Sequence, residues 1–138
     1  MKSKFTLGLA AVMAAGFAAT ALTPVAEAGH VCEVIAKNDR TRDGKLNIFE
    51  AKRAGKKTFK ALNDDNDFTL EYDEVSDRIG PKTFKRYNKI KRKGLDRVEW
   101  TRLVKARFKA ANTDGDRTIE CDELATRAGH RLLAVITY

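Results

Sequence analysis

Histidine, cysteine and proline are scarce in this sequence, with two of each among 138 residues. His30 and His130 stand apart from any Cys, Asp or Ser grouping that reads as a zinc site or a catalytic constellation, so no enzyme is expected. Beyond the N-terminal segment no hydrophobic run is long enough to cross a bilayer, which excludes an integral membrane protein. The length fits one domain and excludes a large multidomain enzyme. Acid is in deficit too, with 19 Asp+Glu against 27 Lys+Arg.

What is present begins with an export signal. Met1–Ala28 opens with Lys2 and Lys4, runs apolar from Phe5 to Leu22 and ends Ala26-Glu27-Ala28. A basic head, an apolar middle and an A-x-A end describe a secretory signal peptide cleaved after Ala28, with a retained anchor as the alternative. Cleavage removes Lys2, Lys4 and Glu27 and leaves 25 basic and 18 acidic residues, a net charge of +7. Residues 29–138 then suffice for one modest core.

That mature segment repeats itself. Phe59–Glu74 lies over Phe108–Glu123 at an offset of 49, with ten of sixteen positions identical. Two more copies fall between and before, so that twelve-residue blocks start at 39, 63, 88 and 112. Each carries an aliphatic residue at its eighth position (Leu46, Leu70, Leu95, Ile119) and closes with Glu. A fixed period of this length signals a repeated structural unit.

The unit reads as an EF-hand loop, in which positions 1, 3, 5, 7, 9 and 12 supply six to eight oxygens to Ca²⁺. Position 7 offers its backbone carbonyl, the final Glu both of its oxygens, and the apolar eighth residue pairs two loops through a short strand. Loop 1 (39–50) presents Asp39, Thr41, Asp43, Lys45 through its carbonyl, Asn47 and Glu50. Loop 2 (63–74) presents Asn63, Asp65, Asp67, Thr69, Glu71 and Glu74, and loop 4 (112–123) presents Asn112, Asp114, Asp116, Thr118, Glu120 and Glu123. In both, Phe68 or Arg117 replaces the glycine of position 6, at an expected cost of about 1–2 kcal/mol. Loop 3 (88–99) has Ile90 and Arg92 at positions 3 and 5 and keeps only Asp96 and Glu99 as acids, so it is expected to hold no metal. Arg92 or Lys93 is expected to stand in for the ion and pair with Glu99 or Asp96.

The segments between loops predict the scaffold, an all-α bundle with helices shared between successive loops. Ala51–Leu62 and Trp100–Ala111 lack Pro and space their apolar residues helically. Gly80-Pro81 predicts two short helices meeting at a corner within Val75–Tyr87. Leu124–Tyr138 predicts a last helix with Gly129 weakening its middle, and Val31, Val34 and Ile35 a short helical lead into loop 1.

With its export signal and four evenly spaced loops, the chain resembles lanmodulin, the family of exported bacterial EF-hand proteins that bind lanthanides. The likeness spans the mature chain and is greatest in Val104-Lys105-Ala106-Arg107-Phe108-Lys109-Ala110-Ala111-Asn112, in Asp116-Arg117-Thr118-Ile119-Glu120 and in Glu123-Leu124-Ala125. The resemblance implies a three-helix bundle in which loop 1 pairs with loop 4 and loop 2 with loop 3. It brings Cys32 and Cys121 near each other and so favours a disulfide between them, the alternatives being free thiols or a bond between chains. The departures are specific. The family's Pro at position 2 is replaced by Arg40, Asp64, Lys89 and Thr113, and its Asp at position 9 by Asn47, Glu71 and Glu120 in three loops. Glycine at position 6 survives only as Gly44, and this chain is basic where the family is acidic. The fold therefore carries over and lanthanide selectivity does not. By carboxylate count, loops 2 and 4 suit a trivalent lanthanide and loop 1 is more calcium-like.

The expected function is a monomeric periplasmic carrier, buffer or sensor of Ca²⁺ or a trivalent lanthanide. The rival is an interaction module with vestigial loops. Its basic face (Lys82, Lys85, Arg86, Lys89, Lys91, Arg92, Lys93, Arg97) would dock an acidic periplasmic protein or anionic lipid. Nucleic acid is not an expected partner of an exported chain.

Overall fold

The structure, a computed structural model, describes the backbone of residues 25–90 and 93–138 and side chains from Gly29 onward. Residues 1–24, the bulk of the expected signal peptide, lie outside the described residues, as do Lys91 and Arg92 of loop 3.

Helix follows wherever the loops end. Helix α1 (Val25–Asn38) leads into loop 1, strand β1 (Leu46–Asn47) lies within it, and α2 (Ile48–Leu62) leaves it. Strand β2 (Thr69–Leu70) sits in loop 2, followed by α3 (Tyr72–Val75) and α4 (Pro81–Tyr87). Strand β3 (Leu95–Asp96) and α5 (Arg97–Ala111) belong to loop 3 and its exit, and β4 (Thr118–Ile119), α6 (Cys121–Leu124) and α7 (Arg127–Ile136) to loop 4 and the chain end. The long helices start three residues earlier than apolar spacing indicates, because position 9 is their N-cap. Asn47 accepts from the N–H groups of Phe49 and Glu50, and Glu50 accepts from the N–H of Asn47 in return. Asp96 and Glu99 repeat this reciprocal cap at α5. Such boxes satisfy N–H groups that the first helical turn otherwise leaves unpaired.

Helices α2, α5 and α7 pack together as the core. Gly55 lets α2 approach α5, since a Cβ there would lie 2.7 Å from Val104 Cγ2. The buried indole of Trp100 donates to the Gly55 carbonyl at 3.0 Å and meets the Phe59 ring edge-on at 6.5 Å between centroids. Leu103, Val104, Leu132, Val135 and Ile136 complete this interior.

The strands join the loops two by two. β1 pairs antiparallel with β4, setting Leu46 opposite Ile119, and β2 pairs with β3, setting Leu70 opposite Leu95. All four residues are fully buried. Because α2 runs from loop 1 to loop 2 and α5 from loop 3 to loop 4, the two helices are antiparallel struts with a loop pair at each end. Cys32 and Cys121 form a disulfide that ties α1 to the start of α6, their Cα atoms 5.1 Å apart.

The Gly80-Pro81 corner is present, with Gly80 as N-cap and Pro81 in the first turn of α4. The single helix expected over Leu124–Tyr138 is instead broken at Ala125-Thr126. The Thr126 hydroxyl donates to the Glu123 carbonyl at 2.6 Å and accepts from the Gly129 N–H at 3.0 Å, starting a new helix. Gly129 therefore lies in the first turn of α7, not at mid-helix. A Cβ on it would come within 2.4 Å of the Glu123 and Leu124 carbonyls, so only glycine lets the two helices turn this tightly.

Candidate metal centre

The closing glutamate organises every loop. One oxygen of Glu50, Glu74, Glu99 and Glu123 accepts from the N–H at position 2 (Arg40, Asp64, Lys89, Thr113), at 2.6–3.0 Å. The other oxygen accepts from the N–H at position 9 (Asn47, Glu71, Asp96, Glu120), at 3.0–3.2 Å. Each carboxylate thus bolts the start of its loop to its end and points inward. Burial of Glu50 raises its carboxyl pKa, but the N–H groups of Asn47, Arg40 and Thr41 outweigh that and leave it lowered.

Loop 2 brings three of its six expected ligands together. Carboxylate oxygens of Asp65, Asp67 and Glu71 lie within 4.8 Å of one another, the one such group of three acids among the described residues. The Thr69 hydroxyl bridges them, 2.8 Å from Asp67 Oδ1 and 3.4 Å from Glu71 Oε1. Burial and the charges of Asp67 and Asp65 raise the Glu71 carboxyl above its ordinary pKa. Bonds from Thr69 lower Asp67, which Lys93 across the loop pair also favours. Asn63, at position 1, is 8% exposed, and its Oδ1 is sealed from solvent with no hydrogen-bond partner. A buried carbonyl oxygen without a donor is costly unless something else occupies it. These oxygens, hard and partly anionic, suit Ca²⁺ or a lanthanide.

Loop 4 has the same acids in another state. Asp116 Oδ2 and Glu120 Oε1 lie 3.4 and 2.5 Å from the ammonium of Lys45, which reaches across from loop 1. Bonds from Thr118 and then Lys45 hold the Asp116 carboxyl below its usual pKa, and the two acids raise that of Lys45. Asn112 accepts from Gly115 N–H, and Asp114 from Asp116 N–H. In loop 1, Asp39 takes the N–H groups of Arg42 and Gly44, while the Thr41 hydroxyl bonds Asp39 at 3.2 Å and Glu50 at 3.3 Å. Among the described residues Asp43 accepts only from Lys45 N–H, and Asn47 is occupied as the helix cap.

Of the two cations expected to stand in for the ion in loop 3, Arg92 lies outside the described residues. Asp96 caps α5 and Glu99 takes the N–H groups of Lys89, Ile90 and Asp96. Lys93 forms no ion pair with either acid among the described residues and acts instead on Asp67 of loop 2. Gly94 at position 7 presses on loop 2, where a Cβ would lie 2.4 Å from the Leu70 carbonyl.

Backbone strain is also more evenly shared than the position-6 substitutions indicate. Phe68 and Arg117 do adopt positive φ, at 74° and 77°, as Gly44 does in loop 1. Position 4 is left-handed as well, at Arg42 (60°), Asn66 (59°) and Gly115 (75°). Loop 1 therefore has glycine at 6 and arginine at 4, and loop 4 the reverse. Loop 1 holds no conformational advantage over loop 4. The signal was legible in the displaced Gly115, but the Lys45 crossing was not, since it depends on how far one side chain reaches across the paired loops.

Compared with known protein families and with curated proteins, the chain matches none.

Proposed function

We propose that the protein is an exported EF-hand metal-binding protein of the lanmodulin type, a divergent basic member. It acts as a carrier, buffer or sensor of Ca²⁺ or a trivalent lanthanide in the periplasm. The observation that carries this reading is the convergence of Asp65, Asp67 and Glu71 in loop 2, beside the unpartnered buried oxygen of Asn63. Loop 2 is the first site to fill. Loop 4 follows when its cation displaces Lys45, and loop 1, with three carboxylates and three cations among its twelve residues, is the weakest. The pairing of β1 with β4 and β2 with β3, set by residues at position 8, supports the two-by-two loop arrangement. The disulfide supports export to an oxidising compartment.

The test is a titration of the oxidised protein with Tb³⁺, read by luminescence sensitised through Tyr72 at position 10 of loop 2, followed by Ca²⁺ competition. Saturation at about two to three equivalents, with the first lost in Asp67→Asn/Glu71→Gln, is the expected result. Absence of saturable luminescence and of any Ca²⁺-induced rise in Tm would sink the proposal.

A further inference from the structure

The helical side of the molecule holds a second arrangement, independent of the metal loops. A cavity of about 490 Å³ opens where α4, α5 and α7 meet. Four arginines line it: Arg78 before α4, Arg86 on α4, Arg107 on α5 and Arg131 on α7, with Thr83 and Tyr87 at its edge. No Asp or Glu is among its lining residues. Among the described residues, the one carboxylate ion-paired with any of these arginines is that of exposed Asp77, whose Oδ2 lies 3.8 Å from Arg78 Nε.

Two of the guanidiniums donate hydrogen bonds to backbone carbonyls. Arg107 donates through Nη1 to the Arg131 carbonyl at 2.5 Å. Arg78 donates through Nη1 to the carbonyls of Ala134, at 3.2 Å, and Thr137. Its Nε is sealed from solvent without a hydrogen bond. A guanidinium has five N–H donors, so Arg107 keeps most of its donors and Arg78 the pair on Nη2. Burial and the neighbouring Arg131 charge push the Arg107 pKa down to about 10, the sign of a cation lacking a counter-charge. The partly buried Arg107 charge beside that of Arg131 disfavours an empty cavity, and an anion in it offsets that penalty.

We propose that this cavity is a binding site for a small phosphate-bearing anion with at least two negative charges. The cations come from three helices and from the segment before α4. That array fits the several oxygens of a tetrahedral dianion, whereas a single planar carboxylate occupies one guanidinium fork. The phosphate is either free in solution, as inorganic phosphate or a small phosphoester, or the headgroup of an anionic lipid.

The test titrates the oxidised protein, in metal-free buffer, with inorganic phosphate and pyrophosphate by calorimetry. A parallel arm measures co-sedimentation with phosphatidylcholine vesicles containing phosphatidate. Saturable one-site binding of the free anions, weakened about 10- to 100-fold by Arg131→Gln and by the exposed Arg86→Gln, supports the site and a soluble ligand. Binding confined to phosphatidate vesicles and lost in the same variants supports the site with a lipid headgroup as ligand. Arg131→Gln is also expected to raise the Tm of the ligand-free protein, which a purely structural role for Arg131 would lower. The proposal is overturned by absence of binding in both arms, or by binding that the two variants leave unchanged.

Discussion

Loops 2 and 4 are the most alike stretches of the chain, yet their acids are in different states. In loop 2, Asp67 and Glu71 stand with Asp65 as a cluster of like charges that raises the Glu71 pKa. In loop 4 the equivalent Asp116 and Glu120 already hold an ammonium. The difference comes from the loop opposite. Loop 4 faces loop 1, whose seventh residue is Lys45, long enough to cross the sheet. Loop 2 faces loop 3, whose seventh residue is Gly94, pressed so closely on Leu70 and Glu71 that no side chain fits. One position in the partner thus decides whether a nearly identical set of acids stands clustered or ion-paired. A paired loop has to be read with its partner.

The ends also differ in how they are held, and the largest expected effect tests this. The disulfide staples only the end formed by loops 1 and 4. Replacing Cys32 and Cys121 with Ser releases a closed loop spanning 89 residues in sequence, which on the chain-entropy model costs about 4 kcal/mol. Urea denaturation should show that loss. Hydrogen exchange should show α1 and loop 1 opening first, while loop 2 keeps its protection. The other end depends on close packing, so Gly94→Ala should destabilise by about 1–3 kcal/mol, read by thermal denaturation, and should leave the disulfide-linked end intact. Smaller again is the effect of Lys45→Met. Removing the tethered cation should tighten the second Tb³⁺ equivalent by about three- to tenfold, the scale of an exposed ion pair, without altering the first. Equal tightening of both equivalents would contradict the assignment of loop 4.

Much of this arrangement was legible in the sequence because repetition carries its own alignment. The period placed all four loops, and the aliphatic eighth positions marked the residues that now face each other as Leu46 with Ile119 and Leu70 with Leu95. Gly80-Pro81 marked a corner because proline's fixed φ suits a helix start. What escaped were features that depend on two segments at once. Gly129 read as a weak point in a helix, while its real constraint is the carbonyls of Glu123 and Leu124 against it. Lys45 read as a backbone carbonyl of loop 1, while its ammonium reaches Asp116 and Glu120 of loop 4. The four arginines of the helical cavity are scattered from residue 78 to 131, and three helices must pack before they become a group.

The finest distinction between loops 2 and 4 is in their response to pH. Glu71 has a folded pKa above the ordinary 4.5, so the folded protein holds its proton longer than the unfolded chain does. Metal-free stability contributed by this group is therefore present at low pH and declines as pH rises through that range. Asp116 is opposite in sign, with a pKa below 3.8, so its contribution is present at neutral pH and is lost only as pH falls through the lowered value. Glu71→Gln should consequently raise the metal-free Tm slightly at pH 7 and have no effect near pH 4, whereas Asp116→Asn should lower it at pH 7. With Ca²⁺ or Tb³⁺ at saturation, Glu71→Gln should instead lower the Tm, because the repulsion it relieves in the metal-free protein is what the ion otherwise neutralises. A Glu71→Gln effect of the same sign with and without metal would mean that its carboxylate contributes nothing to the ion.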